Sequence, residues 1–332
     1  MYRAEFWEFE GENIRCGLCP HRCVIAPEKR GACRVRRHTG SMLVADSYSE
    51  VISVAVDPIE KKPLYHFFPG ETVLSIGPRG CNFSCSFCQN WQISQENGRT
   101  LHITPETLVG EALNAGCIGI AYTYTEPIVA FEFVRDTAKI ARRQGLKNVL
   151  VSNGFVMPEP LAKLLEVIDA INIDLKSMDD EFYRQVCRGR LDPVLDTIRA
   201  VAKSSVHLEI TNLLIPGYND SDEQLQKIVD FVASIDERIP VHFSGYYPAY
   251  QFDAPPTPVE TLARAHEIAK NKLNYIYAGN RPTSWGRDTH CPHCGNLLIS
   301  RSMFASSSAG ISPAGLCARC GESVDVEGPW NE

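Results

Sequence analysis

No apolar run in this 332-residue sequence is long enough to cross a bilayer, which excludes a helical membrane protein from the expected classes. The opening Met-Tyr-Arg-Ala-Glu-Phe-Trp-Glu-Phe-Glu has no basic segment followed by an apolar one, so no secretory leader is expected and the cytoplasm is the expected compartment. Positive charge is also in short supply. With 33 Lys and Arg against 40 Asp and Glu the net charge is -7, and this argues against a broad nucleic-acid footprint, because clustered cations drive phosphate binding. What the sequence does have is cysteine, 13 in all. The number is odd, and eleven of the thirteen gather in three tight clusters separated by long cysteine-poor stretches. Metal sites in a reducing compartment fit that distribution better than a disulfide scaffold does. A hydrophobic share of 44% and a charged share of 22% describe an ordinary globule, long enough for one barrel-sized domain with small appendages.

A further absence gives the central cluster its meaning. Cys81, Cys85 and Cys88 stand in the run Gly-Cys-Asn-Phe-Ser-Cys-Ser-Phe-Cys-Gln-Asn, and no fourth cysteine follows until Cys117. Three thiolates at C-x3-C-x2-C spacing hold a four-iron cluster and leave one iron without a protein ligand, which is an arrangement for chemistry and not only for electron storage. The bland alternative is a structural metal knuckle. Phe87 before the third cysteine and the glycine-bearing approach Ser75-Ile-Gly-Pro-Arg-Gly80 complete a segment that resembles the radical S-adenosylmethionine (SAM) superfamily. The resemblance implies a 4Fe-4S cluster whose open iron takes the amino and carboxylate groups of SAM. It also implies a one-electron cleavage of the sulfonium that yields a 5′-deoxyadenosyl radical.

From about Glu71 to Ala278 short β-branched runs alternate with helical patterns, the rhythm of β-α units on a parallel sheet. Strands are expected at Thr72 to Ile76, Ile118 to Tyr124, Asn148 to Ser152, Ala170 to Asp174, His207 to Leu214, Val241 to Gly245 and Tyr275 to Ala278. Helices are expected at Pro105 to Asn114, Val129 to Arg143, Glu159 to Val167, Pro193 to Lys203, Ser221 to Ser234 and Pro258 to Lys272, the first with Thr104 as N-cap. The fold class is therefore α/β, a partial or full β/α barrel spanning 46–284, with an N-terminal Cys-rich lobe over 1–45 and a C-terminal zinc-ribbon or rubredoxin-like module over 285–332. Chemistry on such a barrel sits at the C-terminal ends of the strands. Candidate polar residues fall there one strand after another, although Asp, Asn and Gly also serve as ordinary turn formers at such places.

The resemblance assigns them roles in binding SAM. It implies that Glu126 accepts a hydrogen bond from the ammonium, that Ser152 and Asn153 meet the carboxylate or ribose, and that Lys176 neutralises the carboxylate. Asp174 and Lys176 match a segment that in pyruvate formate-lyase activating enzymes contacts SAM and, in some members, a monovalent cation. Gly217 corresponds to backbone lining the adenine, and His242 either reaches the ribose or substrate or packs inside the barrel. One departure stands out: the family commonly has two glycines before the glutamate, and here they are Tyr124 and Thr125.

The outer clusters read differently. Cys16, Cys19, Cys23 and Cys33 offer four soft ligands in a lobe too small to have a core of its own, which favours zinc or a structural role over an auxiliary iron–sulfur cluster that relays electrons. The basic residues Arg34, Arg36, Arg37 and His38 form either a solvated face or a contact for an acidic partner. Cys291, Cys294, Cys317 and Cys320 make two C-x2-C-G knuckles, a zinc signature, with Ala305 to Gly310 as a loop tip. Cys117 and Cys187 read as core.

Nearly the whole chain is similar to one subfamily, the radical SAM member of the AmmeMemoRadiSam system, related to pyruvate formate-lyase activating enzymes. Cys16-Gly-Leu-Cys-Pro-His-Arg-Cys, the run from Asp57 to Gly70 with Tyr65 and His66, Tyr124-Thr-Glu-Pro and Ala278-Gly-Asn carry the likeness. Tyr65 and His66 either face the barrel mouth or pack. The likeness implies an electron donor such as flavodoxin or ferredoxin, and Memo-like and AMMECR-like proteins as partners. The expected function is hydrogen abstraction from a partner protein, as activating enzymes do. The alternative is radical modification of a small molecule or RNA, and a non-enzymatic zinc-ribbon protein is the third class weighed.

Overall fold

The computed structural model describes residues 1–96, 98–302 and 305–330. Among them a nine-stranded sheet forms the centre of the molecule. Seven strands run parallel in sequence order: Thr72–Pro78, Gly119–Tyr122, Lys147–Ser152, Ala170–Asp174, His207–Leu214, Val241–Gly245 and Ile276–Gly279. Their residues are almost continuously buried, as expected of parallel strands covered by helices. The first parallel strand is flanked by the antiparallel strand Glu50–Pro58, and no ladder joins it to the seventh among the described residues. The sheet is therefore open, a partial barrel. No helix of the described residues is long and apolar enough to cross a membrane.

The connecting helices stand close to their expected places. Pro105–Asn114 starts at the Thr104 cap, whose hydroxyl accepts from the Thr107 amide at 3.3 Å. The helix expected from Val129 begins instead as a tight turn over Pro127–Ala130 and becomes α-helical at Phe131–Arg143. The second strand ends at Tyr122, before its expected end, because Tyr124 has a φ of 65°, a left-handed conformation that strand pairing does not accommodate.

The N-terminal segment forms a three-stranded antiparallel sheet, Trp7–Glu10, Asn13–Cys16 and Val24–Ile25, followed by a hairpin of Arg36–His38 with Leu43–Ala45. Arg34, Arg36, Arg37 and His38 are engaged within the protein. Arg36 is 1% exposed and bonds Glu132; Arg37 pairs with Asp46 at 3.0 Å; Arg34 donates to the Ser94 and Gln95 carbonyls; His38 is buried against the Ile25 carbonyl. They fasten the lobe to itself and to the barrel. At the other end, Thr289–His290, Leu297–Arg301 and Ser306–Ser307 make a small sheet around Leu298, Ile299, Ile311 and Val326. Ser306 and Ser307 were expected in a loop tip, yet they pair with Arg301 and Ser300.

Candidate active site

The cluster loop leaves the first strand through Gly80, at a φ of 97°. A side chain there would meet Val35 at 2.8 Å and the Cys33 carbonyl at 2.9 Å, so only glycine lets the loop lie this close to the N-terminal lobe. Asn82 then ties the loop down. Its amide donates to the Phe155 carbonyl at 2.9 Å and its oxygen accepts from Asn153 Nδ2 at 2.8 Å. The Phe83 amide points at Cys81 Sγ (3.3 Å), and Cys88 Sγ lies 3.3 Å from Ser94 Oγ. A π-helical turn, Tyr183–Cys187, supports the loop from the other side, its Val186 and Cys187 carbonyls accepting from the Ser86 and Ser84 amides. Cys187, read from sequence as plain core, is fully buried against Cys85. Such turns recur at functional sites. The three loop thiols are unpaired and face one cavity of about 340 Å³ at the C-terminal ends of the strands.

Glu126 faces the same cavity. It is 1% exposed, and its carboxylate accepts from the Ile128 amide at 3.1 Å, from Ser152 Oγ at 2.9 Å and from the Asn153 amide at 2.8 Å. Burial pushes its pKa up to about 7 even though these three donors pull the other way. All three are neutral. The carboxylate is held in place without a cation, a state that a positively charged ligand would relieve. Ser152 and Asn153 thus position Glu126 and the cluster loop as much as they line the cavity.

Asp174, the last residue of the fourth parallel strand, and Lys176 just beyond it pair at 3.1 Å. Burial opposes the Lys176 ammonium, but Asp174 and the thiols of Cys85 and Cys187 outweigh it and hold the pKa well above the ordinary value. The Lys176 amide is fixed by the Tyr183 hydroxyl at 2.9 Å. Two lining residues missed from the sequence, Asn172 and Thr211, bury Oδ1 and Oγ1 atoms without a hydrogen-bond partner. The signal that would have found Asn172 is period two: it lies two residues before Asp174 and shares its face.

Lys62 and Tyr124 were missed as well. Lys62 pairs with Asp57 at 2.7 Å and stands 4.6 Å over the Tyr124 ring, whose hydroxyl also bonds Asp57. With Asn90 Nδ2 holding the Tyr124 carbonyl at 2.8 Å, these contacts sustain at a tyrosine the left-handed backbone that glycine would adopt freely.

Gly217, expected at the site, lies elsewhere, and His242 takes the packed one of its two expected positions. Gly217 does not line the cavity; it occupies an exposed turn, φ 78°, where its amide bonds Asp220. His242 packs inside the barrel. Its Nε2 lies 2.6 Å from Glu209, and its ring lies against Tyr65 and Tyr277. Tyr65 and His66 belong to the same buried network, His66 joining Tyr277 at 2.6 Å and the Asp325 carbonyl at 2.6 Å. The reason is strand alternation: Glu209, His242 and Tyr277 point inward below the mouth, where polar groups can stay only by bonding one another.

The three cysteine sets differ in geometry. Among the described residues, Cys291, Cys294, Cys317 and Cys320 are the one group of three or more His, Cys, Asp or Glu side chains with all ligand atoms within 4.8 Å of one another. Their Sγ atoms come as close as 3.7 Å, the edge of a tetrahedron around a single ion.

Comparison with known proteins agrees with this geometry. Residues 75–232 match a family model described as the radical SAM superfamily. An uncharacterized protein of Methanocaldococcus jannaschii is 43% identical over 334 residues, covering 98% of this chain and 99% of that one. The pyruvate formate-lyase 1-activating enzyme of Escherichia coli is 28% identical over 180 residues, covering 50% of this chain and 73% of the enzyme. Among solved structures, a radical SAM methyltransferase from Sphaerobacter thermophilus shares the fold at a TM-score of 0.51 and 18% identity, over 68% of this chain and 70% of that one.

Proposed function

Since the chain belongs to the radical SAM superfamily and is a radical SAM enzyme, we propose that it acts as an activating enzyme, abstracting hydrogen from a partner protein. The observation that carries this reading is the convergence of three unpaired thiols, Glu126 and Lys176 on one cavity at the strand ends. The residues fit the family's cofactors: three ligands leave a fourth iron position open, and the cavity holds an uncompensated carboxylate and two partnerless buried oxygens. When bound, the cluster supplies the electron that cleaves SAM to methionine and a 5′-deoxyadenosyl radical.

The chain's own groups do the positioning. Cys81, Cys85 and Cys88 hold the cluster. Glu126, pinned by Ser152 and Asn153, accepts from the SAM ammonium and so gains the cation it lacks. Lys176 offsets the SAM carboxylate, with Asp174 fixing where its ammonium sits. Asn172 and Thr211 give hydrogen-bond partners deeper in the cavity. The C-terminal four hold zinc, in a closed site without room for substrate. Kinship with an activating enzyme favours a protein substrate, and Memo-like and AMMECR-like proteins are the proposed partners, with a flavodoxin or ferredoxin as electron donor.

Anaerobically reconstituted protein, given SAM and a reductant, should release 5′-deoxyadenosine and methionine, and changing all three loop cysteines to Ala should abolish the product. A partner deuterated at glycine should then pass deuterium to 5′-deoxyadenosine. Full product formation by the triple variant would sink the cluster assignment. Product without deuterium transfer from any glycine-labelled partner would sink the activating role.

A further inference from the structure

We propose that Asn172, Thr211, Ser244 and Asn280 form the substrate wall of the cavity and read the backbone of an uncharged, extended protein segment that carries the reacting glycine; this rests on the activating reading above. The first three stand on the fourth, fifth and sixth parallel strands and Asn280 follows the seventh, and all four line the cavity that the cluster cysteines face. All are neutral, and all have hydrogen-bonding capacity to spare. Asn172 is fully buried, and its Nδ2 donates to the Pro63 carbonyl at 2.7 Å, which orients the amide and leaves Oδ1 without a partner. Thr211 is 7% exposed and its Oγ1 is unpartnered too. Ser244, also buried, and Asn280 make no side-chain hydrogen bond among the described residues. Gly279 stands opposite Ser244 in the sheet, and a side chain there would meet the Ser244 hydroxyl at 2.7 Å, so the glycine keeps that hydroxyl clear. Buried polar groups are ordinarily satisfied, and a row of them left open on a cavity wall marks a ligand that brings the missing partners.

The chemistry of the wall selects that ligand. Glu126 and Lys176 answer the ammonium and carboxylate of SAM, whereas the four wall residues carry no charge. The other two cations of the cavity, Lys61 and Lys62, both bond Asp57. A phosphate or carboxylate would lose its hydration at the wall without a free counter-charge, while a peptide group brings one N–H and one carbonyl, the partners that an amide oxygen and a hydroxyl lack. Spacing agrees. Asn172 lies level with Glu209, two residues below Thr211, and Thr211 lies level with His242, two residues below Ser244. The row climbs toward the mouth by one strand and two residues at a time, a step of about 8 Å, close to the distance of about 7 Å between alternate peptide groups of an extended chain. The rim above continues in kind: Tyr218, Tyr247 and Tyr250 are exposed in the loops after the fifth and sixth strands, and Trp91 stacks on Tyr250 at 5.1 Å. Arg281 beside them is turned onto the Tyr247 hydroxyl at 3.0 Å. Aromatic surface poor in charge has the composition of a protein contact and lacks the free cations that nucleic-acid phosphates need. A segment entering past the tyrosines lays its backbone on the wall and its glycine Cα beside SAM. There one Cα–H bond breaks, the hydrogen atom joins C5′ of the 5′-deoxyadenosyl radical, and the unpaired electron stays on the glycine.

The probe is acetyl-Ala-Ser-Gly-Ser-Ala-amide deuterated at the glycine Cα, given at millimolar concentration with SAM and a reductant to the anaerobically reconstituted full chain; deuterium should appear in 5′-deoxyadenosine. Ser244→Ala removes a hydroxyl that bonds nothing, and Asn280→Gly keeps the left-handed turn at φ 58°, so the double variant should fold and carry its cluster. It should pass deuterium about tenfold more slowly, for the loss of two neutral hydrogen bonds, with SAM affinity within about twofold. Native protein should show a similar loss toward the same probe built on N-methylglycine, which has no N–H to offer the wall. Native-rate transfer by the double variant, or equal transfer from the N-methylated probe, would overturn the proposal. A fall in SAM affinity of about tenfold would overturn it as well, since the wall would then belong to SAM. Equal transfer from a glutamate-flanked probe would overturn the uncharged segment, and SAM cleavage stimulated by bulk tRNA but not by peptide would replace it with RNA. If no capped peptide gives up deuterium the proposal fails, and label arriving from a glycine-deuterated Memo-like or AMMECR-like protein would leave the activating role standing; label from neither source would refute both.

Discussion

Glu126 and Glu209 are both buried glutamates of the barrel, and their surroundings have opposite effects. Glu209 lies inside, where His207 at 3.0 Å, His242 at 2.6 Å and the His66 amide at 2.7 Å close around it. Burial raises its pKa, but the two histidines more than offset this and hold it well below the ordinary carboxylate range. Glu126 lies at the mouth, where it meets only neutral donors, and its pKa rises to about 7. The first carboxylate has its partners within the fold, two imidazoles among them; the second has only neutral donors and faces a cavity. Burial and polarity alone do not mark a binding residue. What distinguishes one is a requirement left unmet by the rest of the chain.

That contrast predicts different failures. Glu209→Ala should leave His207, His242 and the His66 amide without their shared acceptor, and at about 1–3 kcal/mol for each buried group left unsatisfied the loss should reach about 3–5 kcal/mol. The readout is the urea midpoint of the folded chain. A loss below about 1 kcal/mol, the worth of one ordinary hydrogen bond, would mean that the interior network is not holding the barrel together.

Glu126→Ala should act on the ligand instead. SAM affinity should fall by one or two decades, about 1.5–3 kcal/mol for a charge-assisted bond, with cluster content unchanged. The substitution also releases the Ile128 and Asn153 amides, so calorimetric binding and iron content have to be read together. Cluster loss with normal SAM affinity would make Glu126 a structural residue like Glu209.

These two residues also show how far the sequence could be read. The strand-end rule placed Glu126, Ser152, Asn153, Asp174 and Lys176 around one cavity, because a parallel β-α unit puts the residue after each strand at the same end of the sheet. The same rule could not separate His242, which lies within its strand, from residues at the mouth. Depth along a strand depends on register between neighbours, such as Thr211 opposite His242, and a single sequence does not contain it. Asn172 and Thr211 were hidden for that reason. Tyr124 was hidden differently. Its departure from the family's glycine was visible, but the Asp57, Lys62 and Asn90 contacts that keep the backbone left-handed come from distant segments.

Acid should also act on the interior network, below the pH at which Glu126 at the mouth takes up its proton. Burial, the largest influence on His66, depresses its pKa from 6.5 to about 3, so the folded state favours the neutral ring. A depressed histidine contributes its full stability above pH 6.5 and loses it as pH falls towards 3. The cost is about 2 kcal/mol at pH 5, at about 1.4 kcal/mol per unit. Replacing His66 with Gln should flatten that limb in a series of urea midpoints between pH 7 and pH 4. An unchanged slope would show that other groups set the acid limit.

The smallest effect is the most discriminating, because the sequence leaves His242 either at the SAM pocket or packed inside the barrel, and its contacts are those of the network. Its ring gives Glu209 one of three donors and packs edge-on to Tyr65 at 4.7 Å. In His242→Gln the amide nitrogen can still reach Glu209, and His207 with the His66 amide still hold the other oxygen. Stability should fall by about 1 kcal/mol, the net worth of one hydrogen bond, and SAM affinity should change by less than about twofold. A protein as stable as the native chain that binds SAM ten times more weakly would reverse this assignment: His242 would then reach the ligand, and the boundary between mouth and interior would lie below it.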